Sequence, residues 1–123
     1  IYHLFNVVAG ENGQGQGVLV RAVEPLGNLD TFAQNRFSKN YDKLTSYQRK
    51  NLTNGPGKLT RALKIDLKEN AIDLTGEDLY LEDDGFSNFS IVTSKRIGID
   101  YAEEARDFLY RFYIKDNPYV SIK

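Results

Sequence analysis

Apolar residues change their spacing twice along this chain of 123 residues, and that change limits the fold more than any other feature. At the front, Ile1 to Val8 and Val18 to Val23 are rich in β-branched and aromatic residues, as strands are. In the middle, Leu29, Phe32, Ala33 and Arg36-Phe37 recur at the spacing of one helix face. After Ile65, the short runs Leu79–Leu81, Ser90–Thr93, Arg96–Ile99 and Leu109–Lys115 alternate as strands do. Strands, helices, then strands predict an α+β fold. The expectation is a single domain with an antiparallel β-sheet core and helices concentrated in the middle of the chain, between about Asn28 and Lys64.

Turn-forming residues sharpen that outline. The glycine-rich stretch from Gly10 to Gly17 lies between the first two strand-like runs and is expected to join them as a hairpin. It is no phosphate cradle by pattern, because no lysine and serine or threonine follow and a strand comes next. Pro25 ends the second run, and Asn28 or Asp30 can cap the first helix. A second helical piece runs through Leu44 and Tyr47. Asn54-Gly55-Pro56-Gly57-Lys58 then breaks the pattern before Leu59, Ala62, Leu63 and Ile65 mark a short amphipathic helix.

Composition removes several kinds of chemistry. With no cysteine and a single histidine, His3, the chain has no disulfide, no thiolate metal site and no imidazole cluster, so neither metal nor cofactor is expected. The apolar run Ile1 to Val8 is far short of a membrane span and lacks the basic front of a targeting signal. Because the chain opens inside a strand-like run and contains no methionine, where a natural start would look different, it is expected to be incomplete.

Charge is nearly balanced in total and uneven in sequence. Between Thr31 and Lys64, eight cations (Arg36, Lys39, Lys43, Arg49, Lys50, Lys58, Arg61 and Lys64) stand against Asp42 alone. Between Ile65 and Asp107, twelve acids stand against Lys68, Lys95, Arg96 and Arg106. A basic block of this kind is either a nucleic-acid footprint or a solvated helical face.

Within that block, the turn Asn54 to Lys58 is the sharpest local feature. Glycines flanking a proline expose backbone N–H groups, and Lys58 adds a full charge, a combination suited to an anion. A rigid helix-entry turn is the alternative. Arg21 lies in an otherwise apolar run, where a guanidinium needs partners; it either pairs with an acid such as Glu24 or hydrogen-bonds in a pocket. Asn6 is similarly isolated among Phe5, Val7 and Val8. His3 has no triad partners near it, and the adjacent Glu103 and Glu104 point to different sides of any regular element. Asn51-Leu52-Thr53 and Asn88-Phe89-Ser90 match a glycosylation sequon too common to carry weight.

Taken in order, Leu19-Val20-Arg21-Ala22-Val23-Glu24-Pro25, Asn54-Gly55-Pro56-Gly57-Lys58-Leu59, Arg96-Ile97-Gly98-Ile99, Arg111-Phe112-Tyr113 and Asn117-Pro118-Tyr119-Val120-Ser121 resemble the alkyladenine (3-methyladenine) DNA glycosylase family. The resemblance implies a base-excision repair enzyme, a monofunctional hydrolase. Such an enzyme flips an alkylated purine such as 3-methyladenine out of duplex DNA and hydrolyses its N-glycosidic bond, leaving an abasic site. It further implies that Asn6 lies in the base pocket and disfavours guanine by crowding its exocyclic amine. By the same resemblance Arg21 and the Ile97 carbonyl hold the nucleophilic water in that pocket, and Gly98 lies near the DNA. Asn54, Gly55, Gly57 and Lys58 match a phosphate-contacting segment. The family's catalytic glutamate matches no residue here and is expected upstream of Ile1, so this chain alone is expected to be inactive.

The expected partner is damaged double-stranded DNA, met by a monomer in the cytoplasm, associated with the nucleoid. A noncatalytic nucleic-acid-binding module, using the same basic block and glycine-flanked turn, is the alternative.

Overall fold

A computed structural model of the chain describes residues 4–9, 16–65, 79–97 and 108–122. Expectations about His3, the loop over 10–15, Gly98, Ile99, Glu103 and Glu104 fall outside the described residues. Strands β1 (Phe5–Ala9) and β2 (Gln16–Val20) come first. Helices α1 (Leu29–Phe37), α2 (Ser46–Lys50) and α3 (Pro56–Ala62) follow, with a short 3-10 turn, Tyr41–Lys43, after α1. Strands β3 (Ile91–Ser94) and β4 (Arg111–Ile114) complete the described elements. The architecture is α+β, with the helices in the middle of the chain as their spacing predicts.

Both sheets are antiparallel pairs. In the first, Phe5 faces Val20, Asn6 faces Leu19 and Val7 faces Val18. In the second, Ile91 faces Ile114 and Ser94 faces Arg111. The second pair puts Ile91, Phe112 and Ile114 among its exposed residues, while Val92 is half-buried.

Three strand expectations need correction. β2 stops at Val20 rather than Val23, because the backbone of Val23 is engaged elsewhere: its N–H donates to the Thr53 carbonyl at 3.2 Å, and its carbonyl accepts from the Thr53 hydroxyl at 2.6 Å. Leu79–Leu81 forms no strand, and Tyr80 and Leu81 are exposed. The Asp83 and Asp84 carboxylates just beyond accept from the N–H groups of Gly85 and Phe86, which turns the chain and leaves no ladder to extend. Arg96 and Ile97 likewise follow β3 without belonging to a strand.

The buried side chains belong to the helical middle. Ala33, Leu44 and Leu52 form a cluster, with Leu29, Phe32, Phe37 and Tyr41 packed against it. Leu59, Ala62 and Ile65 are buried as well. Fully burying a leucine such as Leu52 or Leu59 stabilises by roughly 1.5–3 kcal/mol. The Asn35 side chain ties α1 to α3 by donating to the Ala62 carbonyl at 2.7 Å. Local signals set the helix starts. Asn28 occupies the position before α1 in a left-handed conformation (φ 55) that asparagine tolerates, but its side chain makes no cap. Asp30 accepts from the Tyr41 N–H at 2.8 Å instead. Thr45 and Gln48 form a reciprocal capping box at the start of α2, and Pro56 opens α3.

Among the described residues no helix is long and apolar enough to cross a membrane.

Candidate nucleic-acid interface

The basic block divides by what its side chains touch. Arg36 donates to the carbonyls of Leu52 (3.1 Å) and Asn51 (2.9 Å) and lies over the Phe37 ring. Arg49 donates to the carbonyls of Tyr41 (3.2 Å) and Asp42 (3.1 Å) and lies over the Tyr41 ring. Both guanidiniums therefore hold backbone carbonyls around the ends of the short helices, a structural task that charge counting along the sequence does not distinguish from phosphate binding. Lys39, Lys43, Lys50 and Lys64 remain exposed.

Lys58 differs from both groups. It projects from the first turn of α3, half-buried, and its stem crosses Gly55, where an added Cβ would stand 3.4 Å from Lys58 Cδ. Its ammonium donates to Asn51 Oδ1 and to Asn54 Oδ1, each at 3.1 Å. Asn54, 4 % exposed, donates to Asn51 Oδ1 at 3.1 Å, and Asn51 donates to the Tyr47 carbonyl at 2.9 Å. Asn54, Gly55, Gly57 and Lys58, all assigned to phosphate contact by resemblance, thus lie together. They line a cavity of about 320 Å³ with Pro56 and Ser121. A larger groove of about 650 Å³ shares Asn54 and Ser121 with it and is lined also by Tyr47, Lys50, Asn51 and Asp116. In the sequence Asn51 stands out only as part of a sequon. Its position three residues before Asn54 and seven before Lys58 becomes meaningful only once the turn at Gly55-Pro56 brings the three side chains together.

The other assigned residues lie on separate elements. Asn6 is exposed on β1, opposite Leu19. Arg21 is half-buried just past the end of β2; burial, and after it the neighbouring Arg111, lower its pKa, and no described carboxylate forms an ion pair with it. Pairing with Glu24 is therefore not what holds it. Arg111 donates to Ser94 Oγ at 3.3 Å and to the Ile122 carbonyl, and stacks over Tyr113, so it fastens β4 to β3 and to the C-terminal segment. Ile97 is half-buried three residues beyond β3. Neither of the two cavities is lined by Asn6, Arg21 or Ile97.

Fold and site together define an α+β chain in which an ammonium held by two asparagines and a glycine-flanked turn border one cavity, an arrangement suited to an anion. The chain belongs to the methylpurine-DNA glycosylase family, whose model matches residues 1–118. It is similar to proteins named as putative 3-methyladenine DNA glycosylases from Clostridium novyi (52% identical over 123 residues), Alkaliphilus oremlandii (53% over 123 residues) and Clostridium perfringens strain SM101 (52% over 126 residues). These matches cover 100% of this chain and 61–62% of the relatives, so the chain spans about three-fifths of their length.

Proposed function

We propose that this chain is the C-terminal portion of a single-domain DNA base-excision glycosylase that acts on alkylated purines such as 3-methyladenine in double-stranded DNA, as an intracellular monomer. The observation that carries the reading is the lysine held at the Asn54-to-Gly57 turn, in a chain whose family membership runs through that same turn. A phosphate backbone needs a positive donor at a fixed place and offers no sequence information there, which matches what Lys58 and its turn provide.

The reaction is hydrolysis. Water oxygen bonds to C1′ of the damaged nucleotide, the C1′–N bond breaks with its electrons passing to the purine, and a proton from the water leaves to a general base. An alkylated purine already carries positive charge and departs readily, so a stacking pocket and one oriented water are the chief requirements. In this reading Arg21 and the Ile97 carbonyl orient that water, Asn6 crowds the amine of normal guanine, Gly98 adjoins the DNA, and a glutamate upstream of Ile1 is the base.

The test is base release. Full-length protein incubated with methylated duplex is expected to free 3-methyladenine, and Arg21→Ala is expected to slow release more than it weakens binding. Tight binding to the duplex without any release would instead favour a noncatalytic nucleic-acid-binding module.

A further inference from the structure

The role of the side chains that hold Lys58 rests on the reading of Lys58 itself as a phosphate contact. An ammonium has three N–H donors and no acceptor. Two of them go to Asn51 Oδ1 and Asn54 Oδ1. Both amides must turn oxygen toward a group that only donates, and both amide nitrogens then find acceptors of their own: Asn54 Nδ2 on Asn51 Oδ1, and Asn51 Nδ2 on the Tyr47 carbonyl. The network is self-consistent and ends on the backbone of α2.

Its holders are also uncharged. An aspartate at position 51 or 54 would pair with the ammonium and cancel much of its field at the cavity; an amide oxygen orients the group and leaves its charge intact. Among the described residues nothing accepts the third N–H, and Lys58 lines the cavity of about 320 Å³ beside the turn. A lysine on an open surface surrenders rotamer freedom when it meets a ligand, whereas here that freedom is already lost in folding.

We propose that Asn51 and Asn54 are positioning residues for DNA-backbone binding: they fix the Lys58 ammonium, charge intact, so that its remaining N–H is presented to a phosphate oxygen.

A double-mutant cycle on the full-length protein tests this, with binding to an undamaged duplex read by fluorescence anisotropy at fixed salt and the melting temperature of each variant as the check on folding. Asn51→Ala is expected to weaken binding about three- to tenfold. Lys58→Ala should weaken it at least as much, and the double variant no further than Lys58→Ala alone. Should Asn51→Ala fail to fold, Asn54→Ala with Lys58→Ala gives the same cycle. A full additional loss from either asparagine variant in the Lys58→Ala background would overturn the positioning role while leaving the phosphate contact standing. Unchanged binding by Lys58→Ala would overturn both.

Discussion

Thr53 and Val23 bind each other twice: the Val23 N–H donates to the Thr53 carbonyl at 3.2 Å, and the Thr53 hydroxyl donates to the Val23 carbonyl at 2.6 Å. This pair joins the segment just after Arg21 to the residue just before the Asn54-to-Lys58 turn, and Thr53 is fully buried. Thr53→Val keeps the shape and removes one donor, leaving a carbonyl short of a partner. It is expected to lower stability by about 1–3 kcal/mol. Urea denaturation at constant m-value measures it.

Arg36 and Lys58 should separate cleanly in function. Arg36 is committed to the carbonyls of Asn51 and Leu52, so Arg36→Ala is expected to cost roughly 2–3 kcal/mol of stability through lost charge-assisted hydrogen bonds. The salt dependence of DNA binding by the folded variant should stay as it was. Denaturation curves and a salt titration of affinity together check both halves.

Lys58→Ala should do the converse. Binding to damaged and undamaged duplexes is expected to weaken similarly, with the slope of log affinity against log salt falling by about one. A loss confined to damaged DNA would mean that Lys58 reads the lesion rather than the backbone.

Much of this arrangement is legible in the sequence, and the failures share a cause. The spacing of Leu29, Phe32, Ala33 and Phe37 marks α1, because that signal is short-range; the third helix is expected after the Asn54-to-Lys58 turn, but α3 already starts at Pro56 within it, where proline suits a first helical position. The end of β2 is not legible, because the partner that draws Val23 out of the hairpin lies thirty residues away, at Thr53. Leu79–Leu81 has strand composition, yet composition does not supply a neighbouring strand. Arg36 and Arg49 count as two positive charges in sequence; only folding shows that both are turned onto carbonyls. Asn51 gives no signal of its own, since its part depends on side chains meeting across a turn. Asn54, Gly55, Gly57 and Lys58 stand out because glycines flanking a proline mark a turn locally and Lys58 adds a charge beside it.

The Tyr119 phenol gives the structure an alkaline signature. Burial, and after it Tyr41 and Glu24 nearby, raise its pKa above the usual tyrosine value of 10.0. A group whose folded pKa is raised adds stability that is fully present below its unfolded pKa and is lost as pH climbs through the folded value when the charged form is the one the fold disfavours. Stability is therefore expected to fall above about pH 10, less steeply in Tyr119→Phe than in the parent. Chemical denaturation across that range is the measurement.

Under the proposed function, these 123 residues contact DNA for a reaction whose general base is proposed to lie outside them. A positioned base supplies roughly a hundredfold or more of the rate, and by the resemblance none of Glu11, Glu24, Glu103 or Glu104 is expected to stand at the family's catalytic position. The direct measurement is 3-methyladenine released from methylated duplex by this chain alone and by the full-length protein, at equal concentration and with time courses followed to completion. Turnover by the full-length protein and only background release by the chain alone are the expected results. Enzyme-like release by the 123-residue chain would contradict it and move the catalytic base inside these residues.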